Sequence, residues 1–262
     1  MKTIAAGVPQ GSVLGPVLYV LFTSDIPHTT GTTIGTFADD TAVMAVGETT
    51  ELATSKLQRA INHISDWTKM WRIKLNEAKS VHVDFTLKKT TSIPLVLNDN
   101  IIPYSNTAKY LGMTLDAKLR WKEHVKKKKE ELVIKYRKMY WLLGRKSELS
   151  TENKLLVYKQ ILKPVWTYGL QLWGCTKMTN ISMIQTFQNK VLRGIVNAPW
   201  YARNVDIHRD LQVEMVTEVI KKKAAGHQKR LETHVNPNII TLLDKGVTVT
   251  RLKRTRPQDL CT

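Results

Sequence analysis

Apolar residues recur along this chain with two different periods, and the alternation between those periods outlines its elements. In "GVPQGSVLGPVLYVLFTSDIP" a Gly/Pro turn leads into Val13, Leu14, Val17, Leu18, Leu21 and Phe22. That spacing predicts a helix with a broad buried face. Proline is tolerated only near a helix start, so the helix begins close to Ser12 and ends before Pro27. "TTIGTFADDTAVMAV" reads as strand, turn, strand, because β-branched and aromatic residues flank two aspartates. Leu57, Ala60, Ile61, Ile64, Trp67 and Trp71 then recur at three- and four-residue steps and give the clearest helix. Short extended pieces follow: "SVHVDFTL" with Val81, Val83 and Phe85 alternating, "IPLVLNDNIIPY" with an Asn-Asp-Asn turn, and the strand–Gly–strand "KYLGMTLD".

From about residue 118 the period becomes helical throughout. Residues 118–143 place Trp121, Val125, Leu132, Tyr136, Met139, Tyr140 and Leu143 on one face and a basic run on the other. Further helices are predicted over about 151–172 with a kink at Pro164, over 178–196, and over 208–232. The fold class is therefore α+β, with antiparallel strands first and packed helices afterwards. The change of pattern near residues 115–118 marks the domain boundary, so residues 1–117 and 118–250 are two bodies. Residues 251–262 are a basic tail expected to be disordered.

Composition sharpens this picture. The chain has 262 residues, 42 % of them hydrophobic, enough for a real core. No apolar run reaches the roughly 18 residues of a membrane span, and the start lacks a signal-peptide core. Cys175 and Cys261 cannot form a disulfide framework or a zinc site, as expected of an intracellular protein. The net charge is +18, and it is unevenly spread. Residues 1–110 hold 10 Lys/Arg and 9 Asp/Glu, whereas residues 111–262 hold 30 and 13. A near-neutral half carrying paired acids precedes a basic body, and such a body is the electrostatic footprint of a phosphate-backbone binder.

Asp39 and Asp40 are the candidate chemistry. Two adjacent carboxylates repel each other and are costly to desolvate. At the tip of a tight hairpin they can face one cleft and hold divalent cations about 4 Å apart with one further acid. Magnesium prefers carboxylate and phosphate oxygens, which suits acids with no His or Cys nearby. An ordinary surface turn built on Asp-Asp is the competing reading of this pair alone.

The order of motifs carries more. "GVPQGSVLGP", "FADD", "DWTKMWRIKLNEAKS" and "KYLGMTLD" follow one another, and then come "ILKPVWTYGLQLWGCTK", "QTFQNKVLRGIVNAPWYARN" and "HRDL". The set resembles the reverse transcriptases of non-LTR retrotransposons, most closely those of Jockey-like elements of insects. The resemblance implies a partial polymerase palm followed by a helical, thumb-like region. It implies that Asp39 and Asp40 ligate catalytic Mg2+ and that Gln10 and Gly11 contact the incoming nucleotide and template. It further implies that Lys79 protonates the leaving pyrophosphate and that Leu111 and Gly112 form a primer-grip turn. The implied partners are an RNA template, a DNA primer or RNA–DNA hybrid, and deoxynucleoside triphosphates, in the nucleus or a cytoplasmic ribonucleoprotein.

Family polymerases need a third carboxylate from a "D-x-x-x-A-F-D" motif that precedes "PQG", and fingers before that. Only nine residues stand before Gln10. The expectation is a fragment of an RNA-directed DNA polymerase that is inactive alone. Asp25 and Asp84 are the nearest other acids. The alternatives are a non-catalytic basic nucleic-acid-binding module and a pseudogene product, the last predicting poor folding because the helix at 13–25 lacks a partner.

Overall fold

A computed structural model describes residues 11–88, 92–240 and 256–260, and shows an α+β architecture divided after Gly112 into two compact units. The first unit begins with α1 (Leu14–Phe22) and the hairpin of β1 (Thr32–Phe37) and β2 (Asp40–Ala45). The hairpin is antiparallel, with Thr32 opposite Ala45 and Phe37 opposite Asp40. α2 (Thr50–Met70) packs against it. The Thr49 hydroxyl caps α2 by accepting from the Leu52 amide at 3.3 Å. The helix stops where Arg72 turns left-handed, with φ 55°.

One face of α2 meets the small hairpin of β3 (Val96–Leu97) and β4 (Asn100–Ile101). Asn98 and Asp99 both adopt positive φ, the conformation a two-residue hairpin loop requires. Leu95, Leu97 and Ile102 bury themselves against Ile61, flanked by Leu57 and Leu75. The Gln58 side chain pairs with both backbone groups of Val96, at 2.7 and 2.8 Å, so a helix residue satisfies a strand edge. β5 (Thr107–Tyr110) ends this unit.

The second unit opens with β6 (Met113–Asp116) and is otherwise helical. Its main helices are α3 (Lys122–Lys138), α4 (Tyr140–Leu143), α5 (Thr151–Val157), α6 (Lys163–Thr167), α7 (Leu170–Trp173), α8 (Met178–Ile195), α9 (Asn204–Asp210) and α10 (Val216–Glu232). One continuous core joins Trp121, Val125 and Leu132 of the α3 segment to Tyr158, Trp166, Trp173, Ile184, Val191 and Val216. Among the described residues no helix is long and apolar enough to cross a membrane.

Several expectations are corrected. The apolar side of α1 is not buried: Leu14, Val17, Leu18 and Leu21 are all exposed. Hydrophobic spacing encodes a sticky face, and nothing described here covers it beyond Phe22 stacking edge-on against Trp71 at 4.8 Å. Residues 80–87 do not form a strand, and only His82 bridges to Tyr104. The buried side chain there is His82, whose Nε2 lies 3.2 Å from an Asp84 carboxylate oxygen, while Val81 and Phe85 are exposed. The helix predicted over 208–232 breaks at 211–215, where Gln212 takes φ 50° and the chain folds back so that the Val213 amide bonds His208 O. Of the basic tail, Pro257–Leu260 form a 3-10 turn preceded by Arg256, and residues 251–255 and 261–262 lie outside the described residues.

Candidate active site at the Asp-Asp hairpin

The geometry starts at Ala38. A two-residue loop, Ala38 and Asp39, closes β1 onto β2, and Ala38 sits in the left-handed region at φ 49°. That conformation is costly for any residue with a Cβ, and such strain gathers at working sites. The turn is braced from α1, whose Tyr19 hydroxyl donates to the Ala38 carbonyl. The first helix and the acidic turn are thereby joined by a direct hydrogen bond.

Asp39 lies in the loop and Asp40 on the first residue of β2, and both are exposed. Strand alternation puts Asp40 on the same face as its partner Phe37 and as the Gly35–Ala42 and Thr33–Met44 pairs. The other face, with Ile34, Val43 and Ala45, is the more covered one. The Tyr110 hydroxyl donates to the Gly35 carbonyl at 3.3 Å, so β5 ties itself to the middle of this hairpin. No lysine or arginine ion-pairs with either aspartate among the described residues. The carboxylates are therefore solvated rather than neutralised by neighbours, and their oxygens are available to a cation.

Among the described residues, no group of three or more His, Cys, Asp or Glu gathers closely enough to hold a metal ion. Asp25, an alternative acid, is committed elsewhere. Its two oxygens accept from the indole N–H groups of Trp67 at 3.0 Å and Trp71 at 3.1 Å, locking the segment after α1 onto α2. Asp84 is held by His82.

The remaining sequence-derived residues lie as follows. Gln10 falls outside the described residues. Gly11 has φ 85° and open space where a Cβ would be, a turn suited to close backbone approach. Lys79 ends the 3-10 turn Glu77–Lys79 and is exposed; its backbone N–H bonds Asn76 Oδ1 at 3.0 Å, and its ammonium has no hydrogen bond or ion pair among the described residues. No hydrogen bond or ion pair joins Lys79 to the hairpin. Leu111 and Gly112, with φ 46° and 73°, make a tight left-handed turn after β5. Sequence reasoning missed Tyr19, and named Asp25 only as a nearby acid without its role in holding Trp67 and Trp71. Tyr19 and Asp25 are polar residues in or just after an apolar helix, which was the one signal available for them.

In the second unit the basic residues sort by pairing. Lys128 and Lys135 both hold Glu131, each at 3.2 Å. Lys122, Lys126, Lys129 and Arg137 are exposed and recur at helical spacing along one stripe of α3.

The model of the reverse transcriptase (RNA-dependent DNA polymerase) family matches residues 1–115. Over 264 residues the chain is 41 % identical to the probable RNA-directed DNA polymerase from transposon X-element of Drosophila melanogaster, covering 99 % of this chain and 29 % of that protein. It is 38 % identical over 278 residues to the RNA-directed DNA polymerase from mobile element jockey of the same species, covering 99 % and 30 %. The probable RNA-directed DNA polymerase from transposon BS is 35 % identical over 243 residues, covering 89 % and 27 %. The chain thus spans about three-tenths of the length of these curated relatives. No solved structure matches it.

Proposed function

Because this chain belongs to the reverse transcriptases of non-LTR retrotransposons, we propose that it supplies the metal-binding hairpin and the nucleic-acid grip of an RNA-directed DNA polymerase. The parent reaction is attack of a primer 3′-hydroxyl on the α-phosphorus of a deoxynucleoside triphosphate. The new bond is the 3′-ester, and the bond that breaks releases pyrophosphate. The observation that supports this most directly is the hairpin tip: two solvated carboxylates on a strained turn, braced by Tyr19.

The donor set fits Mg2+ in kind. Both aspartates offer hard oxygen ligands, and magnesium is commonly held by one or two carboxylates together with substrate phosphates. When bound, the ion supplies positive charge against the developing charge on phosphate oxygens. The chain's own part is positional. Asp39 and Asp40 hold their oxygens at a fixed turn, and Tyr19 keeps that turn from relaxing. Gln10 and Gly11 line the nucleotide and template, Gly11 by close backbone approach. Lys79 stands as the proton donor to the leaving pyrophosphate, which its exposed and otherwise unbonded ammonium permits. The Leu111–Gly112 turn grips the primer. Lys122, Lys126, Lys129 and Arg137 run along the phosphate backbone of the RNA–DNA hybrid. The setting is a nuclear or cytoplasmic ribonucleoprotein.

The 262 residues contain no "D-x-x-x-A-F-D", so the chain alone is expected to give no Mg2+-dependent primer extension. Adding a fragment that carries that motif in trans should restore synthesis, and Asp39→Ala or Asp40→Ala should abolish the restored activity. Synthesis by the Asp39→Ala chain would overturn the assignment. A second reading, a nucleic-acid-binding module without chemistry, is favoured by the charge concentrated in the second half. It predicts binding with no restoration in trans.

A further inference from the structure

The loop between α8 and α9 holds the chain's most exposed tryptophan. Trp67, Trp121, Trp166 and Trp173 are buried, whereas Trp200 is 91 % exposed and the adjacent Tyr201 71 %. This display is built. The Arg193 guanidinium, from the last turn of α8, donates four hydrogen bonds into the loop: to the carbonyls of Pro199 (2.6 Å), Trp200 (3.2 Å) and Ala202 (2.7 Å), and to Asn204 Oδ1 (3.2 Å). Ala198 is buried beneath, its amide bonded to the Arg193 carbonyl at 3.0 Å. One planar cation thus ties down three backbone carbonyls and one side-chain oxygen between Pro199 and Asn204 and leaves both rings outside. The rings meet edge to face, at 5.9 Å and 82°, so the face of one is not covered by the other.

The surroundings choose the occupant. Exposed Arg203 stands two residues beyond Tyr201 in the chain. The nearby acid Asp206 on α9 is already paired with Arg209 at 3.0 Å. α4, which packs against α8, presents exposed Tyr140 and Trp141, followed by exposed Arg145 and Lys146. Aromatic faces interleaved with cations, on a rigid loop of a strongly basic unit, match the chemistry of unpaired nucleotides. Bases stack on the rings while phosphates meet the guanidinium groups. A protein partner's apolar surface would gain nothing from that charge.

We propose that the Arg193-braced loop is a stacking site for unpaired bases of single-stranded nucleic acid. Trp200 and Tyr201 form the platform, and Arg203 meets the backbone. The inference rests on the nucleic-acid reading above and adds to it a site for strand that is not paired.

The test is fluorescence anisotropy with the full chain and three probes of equal length: oligothymidylate 12-mer, an abasic 12-mer of the same charge, and a blunt duplex. The wild-type chain should bind oligothymidylate about tenfold or more tighter than the abasic strand. Trp200→Ala/Tyr201→Ala should erase that preference and leave abasic and duplex binding unchanged. Trp200→Phe/Tyr201→Phe should keep most of it. On the wild-type chain, 5-iodouracil photocrosslinks should map to Trp200 or Tyr201. A wild-type preference near unity, a preference that survives the alanine pair, or crosslinks that map elsewhere would each overturn the proposal while duplex binding leaves the broader reading standing. Failure to bind all three probes would sink both.

Discussion

At the scale of single residues, the cost of the acidic pair is carried by the backbone. Asp39 and Asp40 are exposed and lose little hydration, but Ala38 is held left-handed. An L-residue there carries about 1–2 kcal/mol of strain, part of which glycine would return as unfolded-state entropy. Ala38→Gly should therefore raise the urea midpoint by the equivalent of roughly 0.5–1 kcal/mol. An unchanged or lowered midpoint would show that the turn is relaxed. Tyr19→Phe removes the only side-chain donor to this carbonyl among the described residues. The site is exposed and water can replace the hydroxyl, so the loss should be near the low end of about 0.5–1.5 kcal/mol. Faster amide exchange around Ala38 should accompany it, and exchange unchanged from wild type would remove Tyr19 from its bracing role.

At the scale of elements, His124 gives the second unit an acid limit. Its ring is 1 % exposed, between Trp121 and Trp173, and its Nδ1 accepts from the Thr114 amide at 3.1 Å. Burial, reinforced by the Lys128 and Lys127 charges, pushes its pKa down from 6.5 to about 4. The folded state thus binds fewer protons than the unfolded one in that window. The resulting stability is fully present above pH 6.5 and drains away as pH falls toward 4, about 3 kcal/mol in all. Urea titrations at stepped pH should show this slope, and His124→Gln should flatten it relative to wild type. Parallel slopes would mean that His124 is not the titrating group. Lys154 offers a second check: it is buried, and its ammonium donates to the carbonyls of Ser147 (3.0 Å) and Gly144 (3.4 Å) just beyond α4. Lys154→Met should cost about 1–3 kcal/mol in chemical denaturation by orphaning those carbonyls, and a neutral result would mean that water already serves them.

These elements also show what periodicity reveals and what it hides. The strand–turn–strand around Asp39, the Asn-Asp turn and the cores of α2, α3 and α8 were legible because the apolar spacing and the turn chemistry agreed. α3 begins at Lys122 rather than near residue 118, because Leu119 and Trp121 adopt positive φ while the Asp116 carboxylate accepts from the amides of Arg120 (2.9 Å) and Trp121 (2.8 Å). No propensity rule anticipates two left-handed bulky residues. The helix expected over about 151–172 carries a π-helical turn, Tyr158–Leu162, which re-phases the backbone just before Pro164, the residue that lacks an N–H, and it breaks where Tyr168 turns extended and Gly169 left-handed at φ 64°. The break at 211–215 carries no Gly or Pro, so only the tertiary bonds of His208 with Asn189 and of Glu214 with Lys163 reveal it. Of the site, the acids and turn glycines were legible as residue types, whereas Tyr19 and Asp25 act through partners 19 and 42 or more positions away.

At the scale of the whole molecule, charge is the property that sequence reports most faithfully, because solvated lysines need no partner to act at a distance. The near-neutral unit carries the acids, and the basic unit carries the stripe Lys122, Lys126, Lys129 and Arg137. If that stripe lies along phosphates, it should set the salt dependence of binding. Each phosphate neutralised contributes about 0.9 to the slope of log K against log salt on duplex DNA. Lys126→Gln/Lys129→Gln should then reduce the slope for an RNA–DNA hybrid by roughly 1–2 and weaken binding at every salt concentration, with melting unchanged. Lys69→Gln/Lys88→Gln, which removes two exposed lysines of the first unit, the first of them 3.9 Å from Asp66, is the matched control and should leave the slope as it was. The comparison separates a directed contact from bulk charge, since both variants remove exposed lysines. Equal slopes for the α3 variant and the control would mean that the +18 net charge acts as a diffuse field. The helix stripe would then lose its place as the surface that holds the duplex.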